Sequence, residues 1–132
     1  MSRKLAREMT MKLIYQMDIQ GDFSEEIIDR FIGELPDDEQ QNTYIRDVAG
    51  KYLEHKAAID QKIEQHAFEW KLDRMPKVDA AILRLAVAEI FYREDIPESV
   101  AINEAVELAK KYSTDHSGSF INGILGSLVE KK

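Results

Sequence analysis

The sequence has no cysteine, three prolines, six glycines and one tryptophan in 132 residues. Without cysteine, disulfide frameworks, thiolate zinc sites and a cysteine nucleophile are excluded. This composition fits a reducing compartment, and we expect a cytoplasmic location. No apolar run approaches the roughly 20 residues that a membrane span requires, and no apolar stretch like that of a signal peptide follows the first residues. We therefore expect no membrane partner.

The apolar residues recur at helical spacing, and no strand-like alternation persists, so the sequence predicts an all-α fold. The apolar fraction of 44% is sufficient for one core. We expect a single compact domain over residues 1–132, with six to seven helices arranged as two small helical bundles. The turn at Pro76 divides an N-terminal half of about 1–75 from a C-terminal half of about 76–132.

Helices are expected at about 3–19, 24–35, 39–66, 77–93 and 100–112, with a last helix starting near 119. Gly21 should end the first helix, and the third is expected either to run unbroken or to bend near Gly50. The fourth is apolar almost all round, which is typical of a helix at the centre of a domain. Before it lies an apolar linker that we expect to pack against the core, with Trp70, Leu72 and Met75.

The search for catalytic or metal-binding groups finds no convincing site. On a continuous third helix, His55 and His66 are roughly 16 Å apart, too far to share one ion. Carboxylate pairs such as Glu104 and Glu107 are typical of solvated helix surfaces. No metalloprotease motif, phosphate loop or nucleophile elbow occurs. We therefore expect no enzyme activity, no metal and no cofactor.

Basic charge is concentrated at the start of the chain. The net charge is −7, but residues 1–12 hold four basic residues against Glu8 alone, which gives +3 there and −10 elsewhere. Such a cluster can hold an RNA backbone by charge. The candidate RNA contacts in this segment are Arg3, Lys4, Arg7 and Lys12. The alternative is an ordinary solvated helix terminus.

A second candidate is the segment from Ser117 to Gly123, where hydroxyls and a glycine precede the expected last helix. The first amides of a helix point outward unsatisfied and suit a phosphate. The phenyl ring of Phe120 can stack on an unpaired base, and Asn122 can read a base edge. The candidate contacts here are Ser117, Ser119, Phe120 and Asn122. The alternative is a plain N-cap with Phe120 in the core.

Four segments in register resemble the NusB family of bacterial transcription antitermination factors. The opening RKLARE, followed by LIY, is similar to the basic first helix of that family. VDAAILRLA resembles its central helix, VAINEAVELAK its most distinctive run, and FINGIL its last motif. Order and spacing also match, so the resemblance covers essentially the whole chain.

The resemblance implies a non-enzymatic, all-helical protein that needs no cofactor. It implies pairing with the ribosomal protein NusE and binding of single-stranded boxA RNA in rRNA leader transcripts, within an antitermination complex that helps RNA polymerase resist termination. It places RNA at both candidate segments. It also places the protein partner at the central helix, where we expect Asp79 on an exposed edge. A homodimer is left open.

Some positions depart from the family pattern. Leu5, His116 and Ser119 stand where more strongly charged residues occur in other members, which lowers the positive charge of the expected RNA surface. Two other functions remain as alternatives. One is a helical adaptor that binds only protein, and the other is a stand-alone relative of the N-terminal domain of rRNA cytosine methyltransferases. Arg84 and Glu104 are interpreted as structural ties between helices.

Overall fold

The computed structural model describes residues 1–68 and 70–132, and this part of the chain contains helices and no strand. The all-α prediction is therefore confirmed, with seven α-helices. They are α1 Arg3–Gln20, α2 Glu25–Gly33, α3 Glu39–Glu54, α4 Lys56–His66, α5 Lys77–Tyr92, α6 Glu98–Tyr112 and α7 Asp115–Glu130. A short 3-10 helix, Leu72–Arg74, lies between α4 and α5.

Local sequence sets several helix ends. Ser2 and Asp38 cap α1 and α3, because each side-chain oxygen accepts a hydrogen bond from a backbone N–H of the first turn. Gly21 ends α1 in the left-handed conformation, with φ +64°, as predicted. Ser24 stands at the N-cap of α2 but donates instead to Asp22 Oδ1 at 2.6 Å.

The predicted third helix is two helices, and both expectations for it are wrong. The first of the two, α3, runs through Gly50 and ends at Glu54, and α4 begins after His55. The imidazole of His55 stacks on the ring of Tyr92 from α5, with centroids 3.9 Å apart. The helix is therefore interrupted at His55, where this side chain packs on a neighbouring helix. Gly50 lies within α3 and does not mark the interruption.

Helix α5 is the centre of the molecule, as its apolar sequence predicts. Every residue from Asp79 to Ile90 is buried. Ile82, Leu85 and Ala86 are exposed by 0%, 2% and 1%, which confirms the predicted core. Helices α1, α3, α4, α6 and α7 all pack against α5.

The linker before α5 packs against the core only in part. Leu72 and Met75 are buried as expected, but 52% of Trp70 remains exposed, so that part of the prediction is wrong. Phe68 is more exposed still, at 86%, and its φ of +57° lies in the left-handed region that favours glycine. The linker therefore presents aromatic rings at the surface.

Candidate nucleic-acid interface

Arg7, expected as an exposed phosphate ligand, is buried, with 6% of its surface accessible. Its Nε donates to Glu89 Oε2 of α5 at 3.1 Å, and the Tyr44 hydroxyl of α3 donates to the same carboxylate at 2.9 Å. Burial raises the pKa of Glu89, while the positive charge of Arg7 opposes that rise. The expected exposure of Arg7 is wrong because its guanidinium forms a buried ion pair that, with Tyr44, links α1, α3 and α5.

Arg3 is only partly accessible. Its Nε donates to Gln41 Oε1 at 2.9 Å, and its guanidinium lies 4.2 Å from the centroid of the Tyr44 ring. Both contacts hold the side chain against α3 rather than in open solvent. Of the four basic residues at the start of the chain, Lys4 and Lys12 are the exposed ones.

The exposed lysines lie where side chains of α1 meet side chains of α6. Lys4 Nζ is 3.4 Å from Glu104 Oε2, which confirms Glu104 as a tie between helices. Lys12 Nζ is 5.4 Å from the centroid of the Tyr112 ring and forms no ion pair among the described residues. Glu8 accepts hydrogen bonds from Lys111 and from the Tyr112 hydroxyl.

Glu8 shows how this contact is balanced electrostatically. Partial burial alone raises the pKa of the Glu8 carboxyl, but the hydrogen bonds from Lys111 and Tyr112 outweigh burial and hold the pKa below its usual value. The carboxylate form therefore strengthens the contact between α1 and α6. A pKa lowered by folding adds stability above the ordinary carboxyl range, and that stability is lost as the pH falls through the folded-state pKa.

The second segment begins its helix earlier than predicted. Helix α7 starts at Asp115, four residues before the expected position, and Thr114 caps it by accepting from the Ser117 amide at 3.1 Å. The Gly118 amide donates to the Thr114 carbonyl at 3.2 Å. These amides are thus satisfied within the chain, so the expected phosphate site on free amides before Ser119 is not formed.

The four candidate residues of this segment lie on two sides of α7. Ser119 and Asn122 line a shallow groove with Lys110 of α6. Ser117 and Phe120 line a separate cavity beside the linker. Sequence reasoning joined them as one cluster because they are adjacent in the chain, whereas helical rotation separates them.

Asp79, expected on an exposed edge of the central helix, is buried at 2% exposure, so that expectation is wrong. Its position in the first turn of α5 suits a carboxylate, since the positive end of the helix dipole lies there. Oδ2 accepts a hydrogen bond from the Ser117 hydroxyl at 2.8 Å. Asp79 thus joins α5 to α7 and lines the same cavity as Phe120.

The middle of α1 lies near the start of α7, with the C-terminal end of α6 between them. Lys12 contacts the ring of Tyr112, the last residue of α6, and α7 begins three residues later. Lys110 and Lys111, in the last turn of α6, fill the space between the two segments and were missed by the sequence analysis. We call this surface the three-helix face and define it by Lys4, Lys12, Lys110, Lys111, Ser119 and Asn122. Three of its lysines form ion pairs there, with Glu104, Glu107 and Glu8.

A signal for the two missed lysines exists in the sequence, since they adjoin the polar segment that begins at Ser113. Basic residues in a last helical turn are so common that this signal has little weight alone. Arg84 is structural as interpreted, with ion pairs of 3.0 Å to both Asp18 and Asp60. Within residues 1–68 and 70–132, no group of three or more His, Asp or Glu is placed to hold a metal ion.

None of the helices in the described part of the chain has the length and apolar character needed to cross a bilayer. The family model for NusB matches residues 4–130. The transcription antitermination protein NusB of Acetivibrio thermocellus is 52% identical over 132 residues, which covers 100% of this chain and 91% of that protein.

Solved structures agree with the sequence comparison. The T. maritima NusB structure superposes with a TM-score of 0.90 at 31% identity, covering 99% of this chain and 92% of that one. A crystal structure of the antitermination factors NusB and NusE in complex with double-stranded RNA gives a TM-score of 0.87 at 26% identity, covering 98% and 97%. This chain therefore belongs to the NusB family, whose members are transcription antitermination proteins rather than enzymes.

Proposed function

We propose that this chain binds single-stranded boxA RNA of rRNA leader transcripts together with the ribosomal protein NusE. The bound complex then helps RNA polymerase resist termination in the cytoplasm. The observation that carries the proposal is that α6 lies between exposed residues of the two candidate RNA segments. Its Tyr112 contacts Lys12, and its Lys110 lines a groove with Ser119 and Asn122. The related NusB structure in complex with NusE and double-stranded RNA supports NusE and RNA as the two classes of partner.

On the three-helix face, exposed lysines meet the phosphates, while Ser119 and Asn122 offer hydrogen bonds beside them. Arg3 supplies positive charge at the edge of this surface. Arg7 does not contact the RNA in this proposal; its ion pair with Glu89 holds α1 against α5. Phe120 and Ser117 act from the neighbouring cavity. NusE is expected to lie over the N-terminal end of α5, where Asp79 stands beneath the junction of protein and RNA.

The proposal predicts that Lys12→Ala weakens RNA binding with little sequence preference. Each phosphate contact to a single strand contributes about 0.7 to the slope of log affinity against log salt. Losing the exposed Lys12 should therefore reduce the slope by about 0.7 to 1. The measurement is binding of labelled boxA RNA at several salt concentrations, with and without NusE.

The matched control is Arg46→Ala on α3, where Arg46 is exposed and pairs with Asp29 of α2. It removes one positive charge away from the three-helix face and should leave the slope unchanged. An equal decrease of the salt slope in both variants would show that the effect depends on the net charge of the protein and not on the position of Lys12. Absence of RNA binding with NusE binding intact would instead favour the adaptor that binds only protein.

A further inference from the structure

A cavity of about 240 Å³ lies between the linker, the start of α5 and α7. Trp70 and Phe120 form two of its walls, with ring centroids 6.3 Å apart and planes at 74°. Met75 and Pro76 complete its apolar lining, and His116 also lines it. We call this space the Trp70 cavity. Its walls suit a flat ring, which can stack on one aromatic side chain and meet the edge of the other.

The charged group of the Trp70 cavity is the carboxylate of Asp79, which lies beside the polar side chains of Ser117 and His116. Oδ2 is engaged by the Ser117 hydroxyl, but Oδ1 is buried and has no hydrogen-bond partner among the described residues. A buried acceptor without a donor is unfavourable, because it has lost water and gained nothing in return. Asp79, which lines the cavity, therefore has one carboxylate oxygen whose missing partner is an N–H or O–H group.

We propose that the Trp70 cavity binds one unpaired nucleobase of the RNA, which stacks on Trp70 or Phe120 and donates an N–H to Asp79 Oδ1. This inference rests on the proposed function and adds to it a base-reading site and a further RNA-binding residue, Trp70. Recognition of single-stranded RNA by stacking on aromatic side chains and by hydrogen bonds to base edges is common. A strand that crosses Ser119 and Asn122 reaches the cavity around α7.

A basic side chain of a protein partner fits the cavity less well. A guanidinium binds a carboxylate best through both oxygens, and here Ser117 already occupies Oδ2. Among the described residues, no second carboxylate lines the cavity to hold an ammonium group, and His116 adds no negative charge there. Two aromatic walls and one unpartnered carboxylate oxygen match a base edge more closely.

The acceptor determines which bases are admitted. A base with an amino or imino N–H at its exposed edge satisfies Oδ1, whereas a base methylated at that nitrogen leaves the carboxylate unpaired. Stacking alone does not distinguish the two, since both keep a π-face. A difference in affinity between a base and its N-methylated form therefore reports the hydrogen bond to Asp79.

Trp70 is the only tryptophan of the chain, so its fluorescence reports occupancy of the cavity directly. Oligouridylate should quench this fluorescence, and oligo(N3-methyluridylate) of equal length and charge should bind roughly 10-fold more weakly, because the bond to a charged acceptor is lost. RNA binding without any change in Trp70 fluorescence, or equal affinity for the two oligonucleotides, would overturn the inference. Quenching by NusE alone, without quenching by RNA, would assign the cavity to the protein partner.

Two variants separate the walls from the acceptor, with labelled oligonucleotides and fluorescence polarisation as the readout. Trp70→Leu should weaken binding of both oligonucleotides roughly 10-fold, as expected for a lost stacking partner. Asp79→Asn should lower the discrimination between them to about 2-fold or less, because an amide lacks the charge that strengthens the bond. Phe68→Ala is the matched control, since Phe68 is exposed on the same linker and does not line the cavity.

Thermal unfolding of each variant shows whether it is folded, and if Asp79→Asn is not, Trp70→Leu and the methylated oligonucleotide decide the question. Equal losses in Phe68→Ala and Trp70→Leu would attribute the effect to the linker and reject the cavity. A wild-type chain that binds no RNA even with NusE would overturn the proposed function itself. A chain that binds RNA normally through Lys12 but ignores Trp70 would overturn the cavity alone.

Discussion

Arg7→Ala is expected to lower the free energy of unfolding by about 3–5 kcal/mol, as for loss of one partner of a buried ion pair. The change leaves the Glu89 carboxylate buried with one hydrogen bond, from the Tyr44 hydroxyl, and with the more distant positive charge of Arg93. Chemical denaturation measures the loss. Lys4→Ala, in the same turn of α1, is the control; its pair with Glu104 is exposed and should contribute less than about 1 kcal/mol.

The loss in Arg7→Ala should depend on pH. Burial already raises the pKa of Glu89 and Arg7 opposes that rise, so the variant should have a still higher folded-state pKa. A raised carboxyl pKa means that the folded state favours the protonated form. The folded state is therefore less stable at pH values where the same carboxyl is ionised in the unfolded chain. The deficit should grow as the pH rises from acid to neutral. A decrease in the free energy of unfolding below about 1 kcal/mol, together with a reduced salt slope for RNA binding, would show that Arg7 contacts RNA and is not a buried structural residue.

Ile82→Ala should cost about 2–5 kcal/mol, because it removes buried methyl groups and leaves a cavity. Ile82 is fully buried in α5, where helices on every side limit collapse around the gap. Denaturant unfolding of the variant gives the value. Ile19→Ala on α1 is the matched control, since Ile19 is 55% exposed and its change should stay within about 0.5 kcal/mol. Similar losses in both would show that the core is misplaced.

The fold could be predicted because apolar spacing and helix-ending residues act locally. Gly21 ends α1, and the apolar sequence of α5 identifies the central helix, without knowledge of any neighbour. The break at His55 depends on stacking against Tyr92, which is distant in sequence. The start of α7 was misplaced because Thr114 caps it and the glycine at 118 was interpreted as part of a turn.

The candidate site was predicted by residue type and chain position, and both leave burial undetermined. Arg7 and Lys12 look alike in sequence, yet one meets a buried carboxylate and the other faces solvent. Asp79 was expected to be exposed because the resemblance places a protein partner at the central helix, but a serine from α7 satisfies one of its oxygens. Trp70 was assigned to the core because it is apolar. Each error concerns burial or a contact with residues distant in sequence, which only the tertiary structure determines.

The central position of α5 has a consequence for how the molecule unfolds. Helices from both sides of the turn at Pro76 pack against it, since α1, α3 and α4 precede that turn and α6 and α7 follow it. Removing either group exposes a helix whose residues 79–90 are all buried, so neither half retains a covered core alone. Loss of structure should thus be cooperative, and the amide protons of α5 should exchange with solvent only through global opening of the whole chain.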